Sequence, residues 1–156
     1  MTDAPEARRI YLDANAFIEA CEHDGPVGEL LTSLLLGGTP ALRPPLVTSE
    51  LTLAELLVKP LELERPDLVR VYESWVLENP GVEPMPVSRD ILAEAARLRA
   101  SERSFKLPDA IHVATAEAGE CSHFITDDTR LRSRPELTMV RLVEAEISEL
   151  IGMSER

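Results

Sequence analysis

Four acidic positions spread along the chain, Asp13, Glu55, Asp109 and the adjoining pair Asp127 and Asp128, have the types and spacing to do chemistry together. Asp13 and the Asp127/Asp128 pair each end a short strand-like run, Asp109 begins a helix and Glu55 lies in the second turn of a nearly all-apolar one, so a fold could gather them on one rim. Carboxylates gathered in that way suit Mg²⁺ or Mn²⁺, hard cations that take oxygen ligands and leave positions for water and phosphate oxygens. A cation so held makes water a better nucleophile and stabilises charge on a leaving oxygen. Without a cation the carboxylates would repel one another, and some would have to take up protons.

The elements that must position these acids are short strands alternating with helices. Pro108 fits the first position of a helix, where its missing N–H has no partner, and Gly119 ends that helix, so Asp109 falls in its first turn. Ser122 to Thr126 then reads as a buried central strand, stopped by Asp127 and Asp128. A helix leading into a parallel strand begins near the C-terminal edge of the sheet, so Asp109 and the Asp127/Asp128 pair share a rim, the place where open α/β sheets bind ligands. Arg9 to Leu12 is a first strand ending at Asp13.

Helices are predicted over Ala16 to Cys21, Val27 to Leu36 (closed by Gly37, Gly38 and Pro40), Ser49 to Val58, Asp67 to Glu78, Ser88 to Arg103 and Glu144 to Ile151. Further strands are predicted at Pro44 to Thr48, at Val82 to Val87 on an edge because of Pro84 and Pro86, and at Leu137 to Leu142. The helix ending before Pro60 is followed by a charged connector to Pro66. Glu55 lies in the second turn of its helix, and helical side chains lean toward the N-terminus, which brings its carboxylate back toward the rim. The alternation predicts an α/β fold with a parallel sheet.

Each acid also has a purely structural use. Asp109 can complement a helix dipole, Glu55 can pair with Lys59 one turn on, Asp13 can cap the next helix, and Asp127-Asp128 can form a turn. The joint pattern is harder to obtain by accident than any one of these.

The runs LDANAFI (Leu12 to Ile18), TLAELL (Thr52 to Leu57) and LPDAIHVATA with FITDD (Leu107 to Asp128) resemble the PIN-domain nucleases, most closely the VapC-type toxins of toxin–antitoxin pairs. The resemblance spans roughly residues 9 to 142. It implies a three-layer α/β/α sandwich, about five parallel strands between helices, and metal-dependent endoribonuclease activity. It also implies frequent homodimers and an antitoxin whose basic or aromatic segment plugs the site. By motif, Asp13, Glu55 and Asp109 match the first three acids, and the Thr-x-Asp pattern places the fourth on Asp128, with Asp127 as its neighbour and substitute. Ala14 stands where the family often has Ser or Thr, while Asn15 is kept.

With 156 residues the chain reads as one domain, with residues 1–8 as a flexible lead-in and 143–156 as a tail. Two cysteines, a polar N-terminus and no apolar run long enough to span a bilayer predict a cytoplasmic protein away from membranes. A net charge of −12 argues against broad, salt-driven nucleic-acid binding, and 4% aromatic residues argue against base-stacking platforms. An RNA path must then be local, with Arg103, Lys106, Arg130, Arg132 and Arg134 as candidate phosphate contacts.

The same charge suits a rival reading, a catalytically inactive PIN-like module that binds a basic partner. A phosphatase of the haloacid-dehalogenase type is disfavoured, because Asn15 stands where its second Asp is needed. The pairs Cys21/His23 and Cys121/His123 lack zinc-ligand spacing, and His112 reads as a packed residue near the rim, with a general base or a partner to the acids as its other uses.

Overall fold

The computed structural model describes residues 8–37 and 44–154. The predicted lead-in, apart from Arg8, lies outside these residues, as do Gly38 and Pro40 and the last two residues of the tail. In chain order the elements are β1 (Ile10–Leu12), α1 (Ala14–Glu22), α2 (Pro26–Leu36), β2 (Leu46–Ser49), α3 (Glu50–Glu62), α4 (Pro66–Leu77), β3 (Val82–Met85), α5 (Arg89–Ser101), α6 (Leu107–Ala118), β4 (His123–Thr126), β5 (Thr138–Arg141) and α7 (Glu144–Ser154).

All five strands are parallel, in the order β3-β2-β1-β4-β5. The chain builds outward from β1 on one side through β2 and β3, then returns to add β4 and β5 on the other. The switch in direction therefore falls between β1 and β4, where ligand crevices open in sheets of this kind. Alternation along β1 divides the core. Ile10 and Leu12 pack with Leu46, Ile125 and Val140 against residues of α1, α2, α3, α4 and α7. Tyr11 points the other way, with Val47 and Phe124, toward α5 and α6. Burial on both faces requires helices on both faces, and the result is a three-layer α/β/α sandwich.

Three of the boundary differences from expectation have a physical reason in the packing. α1 begins at Ala14, which makes Asp13 its N-cap. α3 runs through Pro60 to Glu62 and leaves only a short turn before α4. A proline there removes one helical hydrogen bond, but Thr52, Leu56 and Pro60 recur at four-residue spacing and are all buried, so the ring packs on the same face as Leu56. The turn closes through Glu64, in the left-handed region at φ 52° without a glycine. β3 stops at Met85 and holds Pro84 opposite Thr48, at the sheet edge where a missing N–H is tolerated.

Candidate active site

The C-terminal ends of β1 and β4 and the N-terminal halves of α3 and α6 enclose a cleft of about 120 Å³. Asp13, Glu55, Asp109 and Asp128 all line it, together with Asn15 and His112. Asp127 is exposed and does not.

Asp13 leaves β1 in extended conformation, and its Oδ1 accepts the Ala16 N–H at 3.3 Å, the ordinary work of a helix N-cap. The Thr126 hydroxyl at the end of β4 is its side-chain partner. Burial raises the Asp13 carboxyl from 3.8 to about 6, against the opposing pull of Thr126, His112 and the Ala16 and Asn15 N–H groups. Thr126 serves Asp128 as well, since its Oγ1 accepts the Asp128 N–H at 3.0 Å. One hydroxyl thus ties the first and fourth acids to the same strand end.

Asp128 is gripped by Arg130, with Nε to Oδ1 at 2.9 Å and Nη2 to Oδ2 at 2.5 Å, and this grip holds its carboxyl below the usual carboxylate range. Nη2 also lies 3.6 Å from Asp109 Oδ2, so the guanidinium bridges two of the acids. Asp109 Oδ2 accepts the Lys106 N–H at 3.2 Å at the start of α6. Glu55 does not pair with Lys59, which faces Glu62 instead. Its Oε1 meets His112 Nε2 at 2.5 Å, and His112 Nδ1 meets the Tyr11 hydroxyl at 2.6 Å.

Of the candidate phosphate contacts, Arg130 stands at the acids. Arg134 points away, pairing with Glu117 at the far end of α6 and with Glu102. Arg103, Lys106 and Arg132 are exposed and do not line the cleft. His23 pairs with Glu19, and His123 with Ser122. Tyr11 escaped the sequence reading because a strand aromatic reads as core; the available signal was a hydroxyl-bearing ring two residues before an acid, between pure hydrocarbons Ile10 and Leu12.

The donor set fits a hard cation. It is all carboxylate oxygen, and among the described residues no Lys or Arg pairs with the buried Asp13. Arg130 stands in as a cation between Asp128 and Asp109. Among the described residues no three His, Cys, Asp or Glu groups converge closely enough to hold an ion as they stand. Arg130 engages Asp128 and Asp109, so binding requires that contact to rearrange.

The family model for the PIN domain matches residues 10–137, most of the chain. The chain belongs to the PIN-domain family. Solved structures agree on the fold. A toxin–antitoxin complex from Klebsiella pneumoniae superposes with a TM-score of 0.61 at 22% identity, over 83% of this PIN-domain chain and 95% of the other. VapBC2 from Rickettsia felis, bound to a promoter DNA fragment, gives 0.60 at 17% identity over 85% and 98%. The Mycobacterium tuberculosis toxin VapC20, which cleaves the sarcin–ricin loop, gives 0.56 at 16% identity over 74% and 86%. At these identities the likeness is one of fold. No curated relative matches the sequence.

Proposed function

We propose that this PIN-domain protein is a metal-dependent endoribonuclease of the VapC type, the toxin of a toxin–antitoxin pair, hydrolysing RNA phosphodiester bonds. The observation that carries the reading is the convergence of four carboxylates, from four separate parts of the chain, on one cleft at the sheet's switch point. Asp13, Glu55, Asp109 and Asp128 would hold Mg²⁺ or Mn²⁺. The chemistry such a cation supplies is Lewis-acid polarisation of phosphate and water.

The protein's own contribution is placement. Asp13 and Asp128 are held at one strand end through Thr126. Arg130, freed from Asp128, would meet a phosphate oxygen with the same forked geometry it now offers a carboxylate. Asn15, exposed on the cleft wall, offers an amide to phosphate or sugar.

The Klebsiella pneumoniae structure's own description as a toxin–antitoxin complex supports a partner of that kind here, and the charge of −12 suits a basic antitoxin. A second copy of the chain completes the expected assembly, and its setting would be the cytoplasm. No helix among the described residues is long and apolar enough to cross a membrane.

Purified protein with Mn²⁺ should cut structured RNA, and chelator should abolish the cutting. Asp13→Asn and Asp109→Asn should each lower the rate by about 100-fold or more, as loss of a metal ligand does. Wild-type rates in both variants would overturn the site.

The net charge, and the engagement of Glu55 and Asp128 by protein groups, favour a second reading as a PIN-like binding module without catalysis. It predicts no cleavage with any divalent metal and tight, salt-sensitive binding of a basic peptide.

A further inference from the structure

A continuous run of hydrogen bonds crosses the protein interior from β1 to Glu55. The Tyr11 hydroxyl lies 2.6 Å from His112 Nδ1, and His112 Nε2 ends the run on Glu55 at 2.5 Å. On the neighbouring strand, Thr48 Oγ1 donates to the Leu12 carbonyl oxygen at 2.7 Å and accepts from the Thr52 hydroxyl at 2.8 Å. Tyr11, Thr48 and Thr52 are fully buried and His112 nearly so.

The polarity of the run follows from its end. A carboxylate can only accept, so Nε2 carries the proton that faces Glu55, and in the neutral ring Nδ1 accepts from Tyr11. The Tyr11 ring is itself fixed, 4.7 Å from Phe124 and edge-on to His112 at 5.8 Å between centroids. Glu55, in contrast, is a long side chain more than a third exposed at the cleft wall. Left to itself it would sample many rotamers.

We propose that Tyr11 and His112 are positioning residues, which hold the Glu55 carboxylate in one orientation at the cleft so that it meets a divalent cation already aligned. The inference rests on the reading of the cleft as a cation site. It gives β1 two roles: its backbone delivers Asp13, and Tyr11, two residues earlier, sets Glu55 through α6. The distance between two acids from different elements is then governed by one strand. Loss of a partner of this kind behind a metal ligand typically costs about 10- to 100-fold in affinity or activity.

The test is calorimetric titration of Mn²⁺ into the full chain. His112→Leu should weaken binding by about 10- to 100-fold. His112→Gln, whose amide N–H can still reach Glu55, should lose less, and Tyr11→Phe, which keeps the ring and removes only the hydroxyl, should lose several-fold. In a Glu55→Gln background none of the three should cause further loss, because their effect passes through Glu55.

Losses that add to that of Glu55→Gln would overturn the proposal, as would affinities within about twofold of wild type in folded His112→Leu and Tyr11→Phe. Should His112→Leu fail to fold, the near-isosteric Tyr11→Phe decides alone. Wild-type protein that binds no Mn²⁺ would overturn the cation site together with the positioning role. Wild-type binding with unaltered variants would overturn the positioning role only.

Discussion

At Asp13 the folded protein holds a proton more tightly than the unfolded chain does, because burial raises the carboxyl from 3.8 to about 6. The stability this group contributes is therefore fully present below the unfolded value and is lost as pH rises through about 6. Asp13→Asn keeps an N-cap acceptor and removes the buried charge. The metal-free variant should be more stable than its parent at about pH 8, by up to about 3 kcal/mol, and no more stable near pH 4, as read from urea unfolding at the two values. The same substitution is expected to remove cleavage, so stability and activity oppose each other at this residue. Arg130 makes the converse case. It competes with any cation for Asp128 and Asp109, and it is half exposed, so Arg130→Ala should tighten Mn²⁺ binding in calorimetry, by no more than about fivefold given the modest strength of exposed pairs. Asp13, Asp109 and Asp128 were legible as cleft residues because each sits at an element end, and Glu55 because it is an acid in the second turn of an otherwise nearly all-apolar helix face. The Tyr11–His112–Glu55 run was not, since it joins three elements whose contacts depend on packing. Arg134 misled for the same reason: it is near Asp128 along the chain, yet it pairs with Glu117.

Among the elements, α1 and α2 meet closely at Gly28. A Cβ there would lie 2.5 Å from the His23 carbonyl oxygen and 3.0 Å from that of Glu19, both backbone atoms that cannot swing aside. Helix propensity alone would make Gly28→Ala stabilising by about 1 kcal/mol, whereas overpacking of this kind costs about 1–3 kcal/mol. The contact should win, and the variant should unfold at lower denaturant than its parent. An unchanged or higher midpoint would mean that the helices separate freely. Element order and the parallel sheet were readable from alternation and turn residues. The end of α3 was not, because the lost hydrogen bond and the crowded carbonyl that make proline a helix breaker are offset here by burial of the Pro60 ring in line with Thr52 and Leu56. The turn at Glu64 likewise lacks the glycine that would have announced it.

For the molecule as a whole, a charge of −12 means that the proposed RNA substrate would approach against net repulsion. Screening weakens that repulsion, so kcat/KM for RNA should stay level or rise as monovalent salt goes from about 20 to about 150 mM at fixed Mn²⁺. Enzymes that hold nucleic acid by a basic stripe lose affinity steeply over such a range. A comparable fall here would reveal a basic path that the overall balance conceals. The strand order carries one more consequence, for synthesis. Ile10 of the central strand pairs with Leu46 on one side and with His123 on the other. A growing chain can therefore complete one flank of β1 early, but the other stays open until β4 has left the ribosome. The rim that bears Asp13 lacks the β4 side of its cleft before then, so a nascent chain cannot complete the cleft until most of its length has been made.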